Sequence, residues 1–206
     1  MPDPQYSHTP QPHLDLALAL RRATAGIHAE IERLPLMVRL NSETVTLEDY
    51  RYYLQAIVTI HAPLEGALYE RLDAETLQRL NIQPKLPALL ADLEEQGLEA
   101  QTHRIMAMPM LMLPESRGAT VGGLYVLEGA TLGGRTIARH LRRFIGESLG
   151  TSRFLDFHGQ QTSAAWKGFT SALNGLSAEG VLTPDAVIAG ALAVFTHVHT
   201  CLERIR

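Results

Sequence analysis

A long stretch with helical spacing, from about residue 118 to residue 145, carries glycines where a helix least tolerates them. Within "YVLEGATLGGRTIARHL" (residues 125–141) they stand at Gly129, Gly133 and Gly134. Each interior glycine costs a helix roughly 1 kcal/mol relative to alanine, so the three together cost about 3 kcal/mol. Such a penalty is tolerated where bare backbone is needed. Gly129 and Gly133 form a small-xxx-small pair that lets a second helix approach closely. Gly134 beside them widens the bare surface beyond one packing groove and permits bending. The glycines alone fit helix packing and contact with a flat ligand equally well.

The rest of the chain is predicted to be helical too. Leu16, Leu20, Ala23, Ile27, Ile31 and Leu34 form a 3.6-residue stripe that Pro35 ends. Thr46 is a plausible N-cap for a second helix, with Glu48 and Asp49 in its first turn and a kink expected near Pro63. "PALLADLEEQG" reads as a shorter helix closed by Gly97. "QTSAAWKGFTSALNG" is another, and "TPDAVIAGALAVFTHVHTCLERI" the last, with Thr183 as N-cap and Pro184 at the first helical position. No segment shows sustained two-residue alternation, so no sheet is expected. The predicted fold is a single all-α domain from residue 14 to residue 206. Residues 1–13, with four prolines, are read as a flexible N-terminal tail.

Bulk properties narrow the function. A net charge of −4 offers no basic excess for nucleic acid. The single cysteine, Cys201, excludes an internal disulfide framework and fits a reducing compartment. No run of about 18 apolar residues appears and the N-terminus lacks signal-peptide character, so no membrane span and a cytoplasmic protein are expected.

On the first helix, Arg21, Ala25, His28 and Glu32 share a face beside the apolar stripe. A neutral imidazole can donate one ring N–H to a carboxylate a turn away and offer its other nitrogen to a metal. Arg21 stands about 10 Å along the axis from His28, the reach of a ligand with a metal centre and an anionic edge. Ala25 leaves room between them. A surface His–Glu pair is the plain alternative. Combined with the glycine helix, the reading sharpens: an imidazole and a bare helical wall are two faces of a slot for a planar metallocycle. Haem iron would be ligated from one side only, the coordination that oxygen chemistry needs.

"LRRATAGIHAEIE" resembles the proximal-helix pattern of haem oxygenases, and "YVLEGATLGGRTIARHL" is similar to their distal helix. The order, a separation of about a hundred residues and the length also fit, most closely the bacterial biliverdin-producing branch. The resemblance implies an all-α fold with haem between the two helices. It implies oxidative cleavage of haem to biliverdin, CO and iron, with haem as both substrate and cofactor. His28 then matches the iron ligand and Glu32 its partner. Gly129, Gly133 and Gly134 match the glycines that contact haem and its bound oxygen, and Arg21 a basic position near the propionates. Lys167, in "AWKGF", matches a second such position, and Tyr125 stands where bacterial members often carry tyrosine. O₂, an external electron donor such as a ferredoxin or flavin reductase, and a bacteriophytochrome as product acceptor are the implied partners.

The chain departs from the family pattern at Ala130. Many members carry Asp there to order a distal water network, leaving Thr131, backbone amides or water held by other residues to substitute. A haem carrier or sensor that never cleaves its ligand is therefore the rival reading. A di-iron oxidase would need several converging carboxylates and histidines; His61 and Glu65 repeat the spacing, but most other acidic residues fall at solvent-like positions. His197 and His199 point apart on their helix, disfavouring a shared metal. His140 is read as structural or as touching the distal region, and "MAMPMLMLP" as flexible apolar packing.

Overall fold

A computed structural model describes residues 14–99 and 109–205. Among them there are eight α-helices and no strand. The helices are α1 (Leu16–Glu32), α2 (Pro35–Leu40), α3 (Leu47–Tyr69), α4 (Ala74–Leu80), α5 (Leu86–Glu95), α6 (Arg117–Ile145), α7 (Thr162–Ala178) and α8 (Pro184–Arg204). The expected tail, residues 1–13, lies outside the described residues, as do Met106, Ala107 and Met108 of the methionine-rich stretch.

Local chemistry sets most boundaries. The Asp15 carboxylate caps α1 by accepting from Leu18 N at 3.0 Å. Thr46 and Asp49 form a reciprocal capping box: Asp49 N donates to Thr46 Oγ1 at 3.3 Å and Thr46 N to Asp49 Oδ2 at 2.8 Å. α3 continues through Pro63. Gly97, at φ +67°, ends α5 in the left-handed region, with Gly97 N donating to Glu94 O and Leu98 N to Leu93 O. Thr183 occupies the N-cap of α8, but its side chain makes no capping bond; Pro184 at the first position is the signal that holds. Pro35 both follows α1 and opens α2, a helix of six residues too short to show a period. α4, likewise short, is capped by Asp73.

The stripe of α1 also needs a correction. Leu16, Leu20 and Thr24 are its buried positions, whereas Ala23 is exposed; Ile27 and Ile31 pack partly buried against the core. Thr24 is accommodated because its hydroxyl donates to Leu20 O at 2.8 Å.

The bundle is organised on α8. Its Val187, Gly190, Ala191, Val194 and Phe195 are buried, and it packs extensively on both α6 and α1. Pro184–Arg204 is by length and composition apolar enough to cross a membrane, although no unbroken apolar run marks it in the sequence. In this fold it is a core helix.

Contact between α6 and α8 runs through glycine. A Cβ on Gly122 would overlap the Val187 carbonyl oxygen and stand 2.7 Å from Ala191 N. One on Gly190 would overlap the Ala119 carbonyl, and one on Gly118 would come within 2.8 Å of Ala186 Cβ. The helices therefore meet backbone to backbone, as small-residue seams allow. Overpacking of a close-packed contact costs about 1–3 kcal/mol, with backbone atoms unable to yield. Gly122→Ala is expected to lower the melting temperature clearly. Gly66→Ala, at an exposed position of α3 with open space around it, leaves it unchanged or raises it. Thermal unfolding followed by circular dichroism checks the pair.

Candidate functional site

α1 and α6 both rest on α8, and their extensive packing is with α8 rather than with each other. The face of α1 that carries Arg21, Ala25, His28 and Glu32 is exposed along its length. His28 is 57% exposed, with Nδ1 3.6 Å from Glu32 Oε1. That separation is longer than a formed hydrogen bond, so the pair is loosely coupled. The ring is steadied from beneath by Phe195 of α8, edge to face at 5.9 Å between centroids.

The three glycines singled out in the sequence divide into two kinds. A Cβ on Gly133 would meet nothing within 4 Å, and one on Gly129 only the Trp166 ring, at an ordinary 3.6 Å. Gly134 is buried, and its Cβ would lie 2.6 Å from the Leu155 carbonyl oxygen. Close backbone packing thus accounts for Gly134, against the Leu155 loop, and, elsewhere on α6, for Gly118 and Gly122 against α8. It does not account for Gly129 and Gly133.

Tyr125 links this wall to α1. It is buried, its ring lies 5.4 Å from that of Trp166, and burial raises its phenol pKa while Thr24 and Arg21 of α1 pull the other way. Trp166 packs in turn on Phe169 at 5.7 Å, and Lys167 follows it on α7 with an exposed side chain. The structure therefore brings Arg21, Tyr125, Trp166 and Gly129 near one another. Ala130 is exposed and has no polar side chain. Thr131 turns inward, its hydroxyl donating to Glu128 O at 2.7 Å, so it is committed to its own helix.

Sequence reasoning missed the polar group behind this wall. The Lys85 ammonium pairs with the Glu128 carboxylate, both almost fully buried, and His158 Nε2 lies 3.4 Å from Glu128 Oε2. Asp92 of α5 pins the loop that carries His158 and Leu155, accepting from Arg153 N and Phe154 N at 2.8 Å each. Burial nevertheless pushes the Asp92 carboxyl above its usual range. A charge in the otherwise buried run 118–128 was the one available signal, at Glu128. Nothing local marked Lys85 as its partner.

The remaining candidates have structural partners. His61 and Glu65 pair at 3.0 Å inside the bundle, and Glu65 accepts from Lys85 N at 2.6 Å and Leu86 N at 3.0 Å, capping α5 from outside. His140 Nε2 meets Ser42 O at 2.9 Å. His197 lies 3.6 Å from the Cys201 thiol, and His199 3.4 Å from Glu203, so the two histidines have separate partners. No group of three or more His, Cys, Asp or Glu among the described residues could hold a metal ion. Met110 and Met112 are strongly exposed, contrary to the expected apolar packing, while Leu113 between them and α6 is buried.

Residues 14–204 match the family described as "Heme oxygenase". The chain belongs to the haem oxygenase family. By family membership it is a haem-degrading oxygenase. It is 37% identical over 120 residues to the haem oxygenase of Xanthomonas campestris pv. campestris (strain 8004), a match spanning 57% of this chain and 67% of that one. The fold is similar to that of the NO- and CO-bound haem oxygenase from Neisseria meningitidis, with TM-score 0.69 and 23% identity over 92% of this chain and 91% of that chain.

The glycines can be separated experimentally without any ligand. Gly134→Ala is expected to destabilise the chain by about 1–3 kcal/mol through its clash with Leu155. Gly133→Ala should leave stability unchanged or raise it by up to about 1 kcal/mol. Urea unfolding of the two variants measures both.

Proposed function

We propose that the gap between α1 and α6 binds haem, that His28 is its iron ligand, and that the chain cleaves it to biliverdin, CO and iron in the cytoplasm. The observation that carries this reading is the unloaded backbone at Gly129 and Gly133. A helix keeps two costly glycines that no packing contact requires, across a shared floor from an exposed histidine. Those residues fit the group: a flat ring needs close approach to backbone, and haem iron takes a neutral imidazole.

Bound haem supplies an iron centre that works with O₂ and delivered electrons, and a porphyrin edge that is itself the substrate. This chain's own residues bind and orient. Glu32, once its 3.6 Å separation from His28 Nδ1 closes to a hydrogen bond, would hold the proton on Nδ1 and leave Nε2 to ligate the iron. Arg21 and Lys167, exposed on α1 and α7, pair with the propionates and so determine which edge of the ring faces the glycines. Tyr125 and Trp166 close one end of the gap with aromatic surface and keep bulk water from it. Electrons come from a separate donor protein of ferredoxin or flavin-reductase type, and a bacteriophytochrome is a fitting recipient of the product.

Haemin titration tests the binding, because Trp166 is the only tryptophan and stands against Gly129. Its fluorescence is expected to be quenched stoichiometrically as a Soret band develops. With ascorbate under O₂ the Soret band then decays and biliverdin appears. A haem complex that persists undegraded would instead support the carrier or sensor that Ala130 makes conceivable. His28→Ala is expected to lower biliverdin formation by roughly 100-fold or more; a variant with normal turnover and normal axial ligation would overturn the assignment of His28.

A further inference from the structure

The charged group behind the glycine wall has no role in the packing or in the haem contacts described so far. Lys85 and Glu128 are 3% and 6% exposed. Replacing a buried ion pair by apolar residues is often neutral or stabilising, so stability alone gives no reason to keep one. His158, at 18% exposure, is the one member of this trio that reaches solvent. Its imidazole can take a proton at one ring nitrogen and give one from the other.

The surroundings are charged and titratable on every side. From the loop before α5, Lys85 Nζ also donates to Gln83 O at 3.2 Å and stands 5.0 Å over the Phe157 ring. From α3 come Glu65, bonded to Lys85 N, its partner His61, and Tyr69. The Tyr69 hydroxyl is buried without a hydrogen-bond partner among the described residues. Burial, and then the charges of Glu128 and Glu65, push its phenol well above the usual range. From the His158 loop Asp156 lies 4.0 Å from Arg135 of α6.

We propose that Glu128 and His158, with Lys85 as counter-charge, are positioning residues that hold a proton for the glycine side of the haem site. This rests on the haem oxygenase reading, in which protons are consumed on that side. Ala130 offers no group to hold one, and Glu128 immediately precedes Gly129. Protonated His158 gives its Nε2 proton to Glu128 Oε2: an N–H bond breaks, an O–H bond forms, and no electron moves. His158, left neutral with its proton on Nδ1, regains the Nε2 proton from hydronium when the ring turns outward, an O–H bond breaking as the N–H bond forms. Glu128 passes its proton to water at the wall and returns to the carboxylate that Lys85 balances.

Two variants of similar shape test the idea. Glu128→Gln keeps the volume and removes the charge; His158→Asn keeps a polar contact and cannot titrate. The alkaline transition of the ferric haem complex, read by absorption, requires bound haem but no turnover. Loss of a negative charge beside the site favours the more anionic form, so Glu128→Gln should lower its midpoint by roughly half a pH unit or more. In ascorbate-driven biliverdin formation, His158→Asn should lower the rate several-fold and flatten its dependence on pH, while haemin still quenches Trp166. Wild-type midpoint and wild-type pH profile in both variants, with only the melting temperature changed, would overturn the proposal. Should Glu128→Gln fail to fold, the profile of His158→Asn decides alone. If the wild-type chain binds haem but forms no biliverdin, the enzymatic reading fails, and an unshifted midpoint in Glu128→Gln is then what overturns the role of the charge.

Discussion

Everything in this fold is referred to the seam where α6 and α8 touch through Gly118, Gly122 and Gly190. Backbone against backbone is the shortest approach two helices can make, and it leaves no side chain that could rotate to relieve a misfit. With α6 fixed on α8 in this way, α8 becomes the floor on which α1 also packs, through contacts such as Phe195 beneath His28. The width of the gap between α1 and α6 is therefore a property of α8. A change at residue 190 would be felt at the candidate haem site without touching any residue that lines it.

A second anchor holds the far side of α6. Asp92 secures the backbone of Arg153 and Phe154, the next residue presses its carbonyl into the space left by Gly134, and His158 comes to rest beside Glu128. One buried carboxylate thus sets both the packing of the glycine helix and the position of the polar trio behind it. The cost appears in Asp92 itself, whose carboxyl is raised by burial even with two amides directed at it.

Much of this was legible in the sequence, for identifiable reasons. The long helices advertise themselves through period and through caps whose chemistry is local, as at Thr46 with Asp49 and at Gly97. The family was legible because the paired motifs around His28 and Gly129, in that order and at that separation, are specific to it. α2 and α4 escaped because six or seven residues cannot display a helical period, and Pro35 reads as a stop as readily as a start. The division of labour among the glycines was not legible at all: Gly133 and Gly134 are neighbours, and only the arrival of Leu155 distinguishes them. The Lys85–Glu128 pair was hidden for the same reason, its partners being 43 positions apart. Met110 and Met112 show the converse error, since apolar composition carries no information about which side of a loop is covered.

α6 is a beam gripped by α8 along its first third and by the Leu155 loop at Gly134, with α3 and α7 as further supports. The span between these two grips holds Gly129, where an added Cβ would meet only the Trp166 indole, and Gly133, where it would meet nothing. A rod flexes where it is thinnest and least braced, and a helix gives most readily at glycine. If haem lies against this span, flexure there would accommodate guests of somewhat different thickness, while both grips stay as they are.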